Sequence, residues 1–289
     1  MGGQPMTGAP PSQLLGTNDT AGAWRIAKAF AAARAEGRCA LIPYVVAGYP
    51  DAETSLRIAI AAADAGADLL EVGLPFSDPL ADGATLQRAS GVALAAGATL
   101  ERSLRLIERI GAARPDLPLV PMAYANQVIG GGDGEAVARR LASAGAAGII
   151  VADLTPDEGA PFEAVARAVG LAVVYLVAPT TPPDRRAAIA ARSGGFLYCV
   201  SLVGVTGART SLPRTVGRLV REVTAASPVP VGVGFGVSKP AHVQAIAKAG
   251  AGGVIVASAL VDALGADGHD LATLAALVAD LRTATVHAR

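Results

Sequence analysis

A closed (β/α)8 barrel, the TIM-barrel architecture, in a single domain with an N-terminal plugging helix is the fold class this chain predicts. Three observations predict it. A phrase recurs: Ala65-Gly66-Ala67-Asp68 leads into LLEVG, Ala144-Gly145-Ala146-Ala147 into GIIVAD, and Ala249-Gly250-Ala251-Gly252 into GVIVAS. Each time an Ala-rich helical stretch stops at a Gly suited to a left-handed C-cap, and a continuously apolar run follows, as in a strand buried on both faces. Next, eight such runs occur, separated by amphipathic stretches, and α/β barrels routinely run to this chain's 289 residues as one unit. Finally, 52% of the residues are hydrophobic but only 4% aromatic, so the core must be built from Ala, Val, Leu and Ile.

In chain order, a helix around Trp24–Glu36 precedes the first strand and is placed to plug the barrel. The predicted strands are Leu41–Val46, Leu69–Val72, Leu119–Ala123, Gly148–Ala152, Val173–Val177, Phe196–Ser201, Val229–Val233 and Val254–Ala257, with helices such as Glu101–Arg114 and Glu135–Ala144 between them. An open dinucleotide-binding sheet needs a Gly-rich turn after its first strand. Here Ala47-Gly48-Tyr49-Pro50 follows instead, a poor cradle for a pyrophosphate.

Twenty-four basic and twenty-four acidic residues cancel, and no basic stripe marks a nucleic-acid partner. Anionic ligands must then be held by backbone amides or a single cation. Cys39 and Cys199 sit in or beside apolar stretches, without the Cys-x-x-Cys or Cys/His spacing of a metal site. His242, His269 and His287 stand in unremarkable contexts and read as surface residues. Residues 1–20 are rich in Gly, Pro, Thr and Gln and read as a disordered leader, leaving 21–289 as the catalytic barrel. No apolar run has the length of a membrane span, and a cytoplasmic location is expected.

In such a barrel, function collects at the carboxyl ends of the strands. Those ends present Tyr44, Glu71, Tyr124 with Asn126, Asp153, Tyr198 with the loop Gly204-Val205-Thr206-Gly207, Gly234-Phe235-Gly236, and Ala257-Ser258. Polar groups thus gather at one end of otherwise apolar runs. The late glycines suggest a phosphate site on the last loops, where Gly207, Gly234, Gly236 and Ser258 offer amides that can approach oxygen closely.

The run Leu70–Gly83, LEVGLPFSDPLADG, is the most informative in the chain. Glu71 lies on an apolar strand, and a Pro/Gly-rich loop delivers Asp82 eleven positions later. A rigid strand and a loop each carrying a carboxylate make a plausible acid/base pair on one substrate. Equally, a loop Asp can make a turn and a strand-end Glu can pair with an Arg.

Together with IPYVVAGYP, Met122-Ala123-Tyr124-Ala125-Asn126, GVTGAR at Gly204–Arg209, GFGVS at Gly234–Ser238 and SALV at Ser258–Val261, this run resembles the α subunit of tryptophan synthase. The resemblance spans about Ala21 to Arg282, in the family's order. It implies retro-aldol cleavage of indole-3-glycerol phosphate to indole and glyceraldehyde 3-phosphate. It makes Glu71 the catalytic strand glutamate, Asp82 the loop aspartate and Tyr198 the tyrosine beside the reacting side chain. Thr206 becomes the threonine of the mobile loop that steadies Asp82. Substrate contacts fall to Tyr44, Tyr124, Asn126, Thr206, Gly207, Gly234, Phe235, Gly236, Ala257 and Ser258. The exposed loop with Pro75, Phe76 and Asp78 would face a β subunit carrying pyridoxal phosphate in an α2β2 heterotetramer, with no cofactor or metal in this subunit. Phe76 reads alternatively as a core plug.

Chemically, breaking the bond requires a proton on the substituted indole carbon and removal of one from the glycerol hydroxyl. Partial desolvation on its strand would raise the pKa of Glu71 from about 4.3 towards neutrality. Asp82, kept ionised, can accept the indole N–H and stabilise the developing positive charge. Departures from the family pattern are Ala257 in place of a usual glycine, the apolar Ser201-Leu202-Val203, and Gln127-Val128-Ile129 after Asn126. Two other readings stay open: a free-standing lyase that releases indole, and a mainly allosteric partner with little turnover. The intact Glu71/Asp82 pair counts against the last.

Overall fold

The computed structural model describes residues 20–200, 214–234 and 236–286. The chain opens with α1 (Ala21–Ala35) and β1 (Ala40–Val46), then α2 (Ala52–Asp64), β2 (Leu70–Gly73), α3 (Ala84–Ala95) and α4 (Leu100–Ala113). The middle holds β3 (Leu119–Ala123), α5 (Ala125–Val128), α6 (Gly134–Ser143), β4 (Gly148–Val151), α7 (Pro156–Ala168), β5 (Ala172–Val174), β6 (Leu176–Val177) and α8 (Pro183–Arg192). It ends with β7 (Leu197–Val200), α9 (Arg214–Ala226), β8 (Val231–Gly234), α10 (Pro240–Lys248), β9 (Gly253–Val256), α11 (Ser258–Ala263) and α12 (Leu271–Thr283).

All strand pairs are parallel, in the order β5-β4-β3-β2-β1-β9-β8-β7-β6. The two ends of that order are one stretch of chain broken only at Tyr175, so the sheet closes on itself as an eight-unit barrel. The predicted fifth strand is therefore two pieces. Its break has a local cause: the Tyr175 N–H is taken by the Ser193 hydroxyl at 3.0 Å, while its carbonyl still accepts from the Tyr198 N–H at 2.9 Å. The predicted Val229–Val233 strand moves to Val231–Gly234, which puts Gly234 at the strand's end.

The strands alternate between two cores, as period-2 geometry demands. On β1, Ala40, Ile42, Tyr44 and Val46 join the barrel interior, whereas Leu41 and Val45 pack outward under the helices. The plugging helix is confirmed. Thr20 accepts the Ala23 N–H at 3.0 Å as its N-cap, and the Gly22 N–H reaches the Gly170 carbonyl at 2.9 Å. Ile26 and Phe30 enter the interior cluster, Phe30 with its ring 5.5 Å from that of Phe196. The rest of the expected leader lies outside the described residues.

Two side-chain expectations resolve differently. His242 is buried, because it shares the inner stripe of α10 with Val243, Ile246 and Ala247, and its Nδ1 accepts the Ser238 N–H. His269 is half-exposed, and His287 lies outside the described residues. Cys39 and Cys199 are buried thiols, each pushed up to about 12 by desolvation. Among the described residues no helix is long and apolar enough to cross a membrane.

Candidate active site

The pairing register brings the site together. Tyr44 sits beside Glu71 across β1 and β2, and Tyr198 sits between Leu176 and Gly232 across β6, β7 and β8. Tyr44 and Tyr198 both point into the barrel with Met122 and Ile150 in the same buried cluster. Room for the two rings comes from glycines. A methyl on Gly73 would fall 1.8 Å from the Tyr44 hydroxyl, and one on Gly234 would fall 2.4 Å from the Tyr198 hydroxyl. Burial first, then the nearby carboxylates Asp82 and Glu71, hold both phenols well above the ordinary range and so protonated.

Glu71 is 1% exposed, and neither carboxylate oxygen has a hydrogen-bond partner among the described residues. A buried carboxylate without a donor or counter-ion favours its neutral form. Desolvation, reinforced by the charge of Asp82, pushes Glu71 up to about 8. At neutral pH it is therefore a carboxylic acid, buried with the phenols of Tyr44 and Tyr198 nearby.

Asp82 is half-buried at the end of the loop after β2. Desolvation raises it to about 6, and a hydrogen bond from the Tyr124 hydroxyl works in the opposite direction. The two carboxyl groups thus differ in charge state near pH 7: Glu71 carries a proton and Asp82 does not. Pairs of titratable groups pushed apart in this way mark acid/base assignments.

The loop from Pro75 to Asp82 is anchored rather than free. The Tyr124 hydroxyl accepts the Ala81 N–H at 3.1 Å while donating to Asp82, and its ring stacks on Phe76 at 5.1 Å between centroids. Gln127 donates to the Pro75 carbonyl at 2.9 Å, and Gln87 on α3 donates to the Asp82 carbonyl at 2.9 Å. Consequently the loop expected to be exposed is so only in part. Pro75 is buried and Phe76 half-buried, against Tyr124 as the core-plug alternative requires; Ser77 and Asp78 are exposed, and Leu80 is 92% exposed.

Around the other rim, Gly234 ends β8, and Gly236 has φ +75°, a left-handed backbone that a side chain would strain. Ala257 and Ser258 are half-buried, and Ser258 opens the short helix α11 that the phosphate reading calls for. Asn126 lies exposed on α5, and the Asp153 carboxylate accepts the Ala125 N–H at 2.7 Å at the start of that helix. Thr206, Gly207 and Phe235 lie outside the described residues. Sequence reasoning missed Gly73, which makes room for the Tyr44 hydroxyl; the available signal was a glycine closing an apolar strand run. It also missed Gln127 and Gln87 as ties on the loop: the Gln127 partner is 52 positions away, and Gln87, only five from Asp82, carries no spacing signature that marks a loop tie.

With the geometry in view, comparison with known proteins is informative. A family model described as "Tryptophan synthase alpha chain" matches residues 30–286. The tryptophan synthase alpha chain of Roseiflexus sp. (strain RS-1) is 47% identical over 240 residues, covering 83% of this chain and 91% of that one. That of Gloeobacter violaceus is 46% identical over 242 residues, covering 83% and 86%. A solved structure of Mycobacterium tuberculosis tryptophan synthase superposes with a TM-score of 0.83 at 41% identity, over 91% of this chain and 99% of its own.

Proposed function

The chain belongs to the tryptophan synthase alpha chain family, and from that premise we propose that Glu71 and Asp82 divide the chemistry of its reaction. The chain is a carbon–carbon lyase of L-tryptophan biosynthesis, cleaving indole-3-glycerol phosphate to indole and glyceraldehyde 3-phosphate. The observation that carries the division of labour is the donor-free burial of Glu71, which leaves it protonated at neutral pH.

Glu71 gives its proton to the indole carbon that bears the glycerol chain, and positive charge appears on the ring nitrogen. The ionised Asp82 accepts the indole N–H hydrogen bond, which strengthens as that charge develops. The Glu71 carboxylate then takes the proton of the glycerol hydroxyl next to the scissile bond. The C–C bond breaks, its electrons restore the aromatic ring, and the hydroxyl carbon becomes the aldehyde. Glu71 finishes protonated, as it began. Tyr44 and Tyr198 wall the indole pocket, and Tyr198 borders the reacting carboxyl. Tyr124 keeps Asp82 ionised and in place.

Amides at Gly234, Gly236 and Ser258 hold the phosphate, with the Ala257 methyl narrowing that cradle; the same role is assigned to Gly207 and Phe235, outside the described residues. Thr206, outside the described residues, is assigned the role of steadying Asp82. Asn126 and the exposed part of the loop after β2 serve contact more than chemistry. In the same reading, that loop meets a β subunit in an α2β2 assembly, pyridoxal phosphate belongs to that partner, and the location is cytoplasmic.

Indole release by the purified chain, alone and mixed with its cognate β subunit, tests the partnership. The rate should be low alone and rise about tenfold or more on mixing, within the usual range of coupling between sites. A fast rate indifferent to the β subunit would overturn it.

A further inference from the structure

We propose that Gln127 is a positioning residue for Asp82, acting as a strap that fixes the loop after β2 to the end of β3. This rests on the reading of Asp82 as the indole N–H acceptor. The Gln127 side-chain amide makes two bonds in opposite directions. Its Oε1 accepts the Tyr124 N–H at 3.0 Å, capping α5, and its Nε2 donates to the Pro75 carbonyl at 2.9 Å. Pro75 is where the loop leaves β2, and Tyr124 is the residue whose hydroxyl holds Ala81 and Asp82 at the loop's far end.

One planar amide therefore ties the start of the loop to the backbone of the residue that grips its end. Phe76, stacked on the Tyr124 ring, fills the space between the two ties. The tip at Ser77, Asp78 and Leu80 stays exposed and has no such restraint on its side chains to the barrel. Without the strap, the loop's remaining ties among the described residues are the Phe76 and Tyr124 contacts and the Gln87 bonds to the Pro79 and Asp82 carbonyls. A carboxylate that must sit within hydrogen-bond reach of the indole nitrogen is sensitive to such loosening.

Two variants separate the two halves of the amide. Gln127→Leu removes both bonds; Gln127→Glu keeps the acceptor for the Tyr124 N–H but cannot donate to Pro75 when ionised. Amide hydrogen exchange should quicken at least about fivefold over Phe76–Asp82 in both variants, the effect of one lost hydrogen bond. Exchange across α5 should quicken only in Gln127→Leu. In both, kcat for indole release should fall about tenfold, with KM within about twofold, as for an interaction realised in the transition state.

A Gln127→Glu protein with wild-type loop exchange and kcat would overturn the strap and leave a helix cap alone. A loosened loop with unchanged kcat would overturn it too. Asp82→Asn measured alongside keeps the failures distinct. Turnover retained there overturns the assignment of Asp82; turnover lost there, with both Gln127 variants at wild-type rates, overturns only the strap.

Discussion

Replacing Glu71 by glutamine should lower indole release at least about a hundredfold, the lower range for a group that moves protons in the transition state. Glutamine keeps the size and polarity of the side chain but has no proton to give to the ring carbon and no carboxylate to take one from the hydroxyl. The same change should make the protein more stable at alkaline pH. Burial raises Glu71 in the folded chain from 4.5 to about 8, so the folded state holds a proton that the unfolded state releases. The stability linked to that proton is fully present below about 4.5 and is lost as pH rises through about 8. Glutamine suffers no such loss. Its advantage in thermal unfolding should be smallest at about pH 4, below the unfolded value, and grow to the order of 2–4 kcal/mol by pH 9. A Glu71→Gln protein that releases indole at near wild-type rates, or that melts below wild type at pH 9, contradicts this assignment.

Asp82→Asn should be comparably damaging, with a loss of about a hundredfold in kcat, because the charge that stabilises the ring nitrogen is gone while the side-chain volume remains. It carries a second signature. Part of the rise in Glu71's pKa comes from the neighbouring Asp82 charge. Removing that charge lets Glu71 ionise more easily, so whatever activity survives should fall away at lower alkaline pH than in the wild type. Circular dichroism and thermal unfolding should stay close to wild type, since Asp82 is half-buried on a loop, and asparagine keeps the Gln87 bond to the residue-82 carbonyl, the Ala81 N–H bond to Tyr124 and a side-chain oxygen that can accept the Tyr124 hydroxyl. Unchanged turnover with an unshifted alkaline limb would remove Asp82 from the chemistry.

Much of this was legible because barrels repeat. Three strands follow the same Ala-rich stretch and glycine, and the other apolar runs are set apart by amphipathic helices, so the eight-unit count is readable from the pattern. The break at Tyr175 was not legible, since it depends on a serine hydroxyl eighteen positions away capturing one backbone amide. His242 misled because a single histidine in a polar-looking context hides the i, i+1, i+4 stripe that buries it with Val243 and Ile246. Glu71 and Asp82 stood out as carboxylates at strand end and loop. Their opposite charge states did not, because these come from desolvation and from the Tyr124 hydroxyl, which only packing reveals. Pro75 likewise looked exposed in a Pro/Gly-rich run, yet the Gln127 amide and the Phe76–Tyr124 stack draw that end of the loop inward.

The central claim is that a protonated Glu71 and an ionised Asp82 act together, and the pH dependence of kcat/KM for indole release by the wild-type chain tests it most directly. The free-enzyme profile should be bell-shaped, rising through about 6 as Asp82 ionises and falling through about 8 as Glu71 loses its proton. A profile that stays level from pH 7 to about 10, two units beyond the Glu71 value at a tenfold loss per unit, would contradict it.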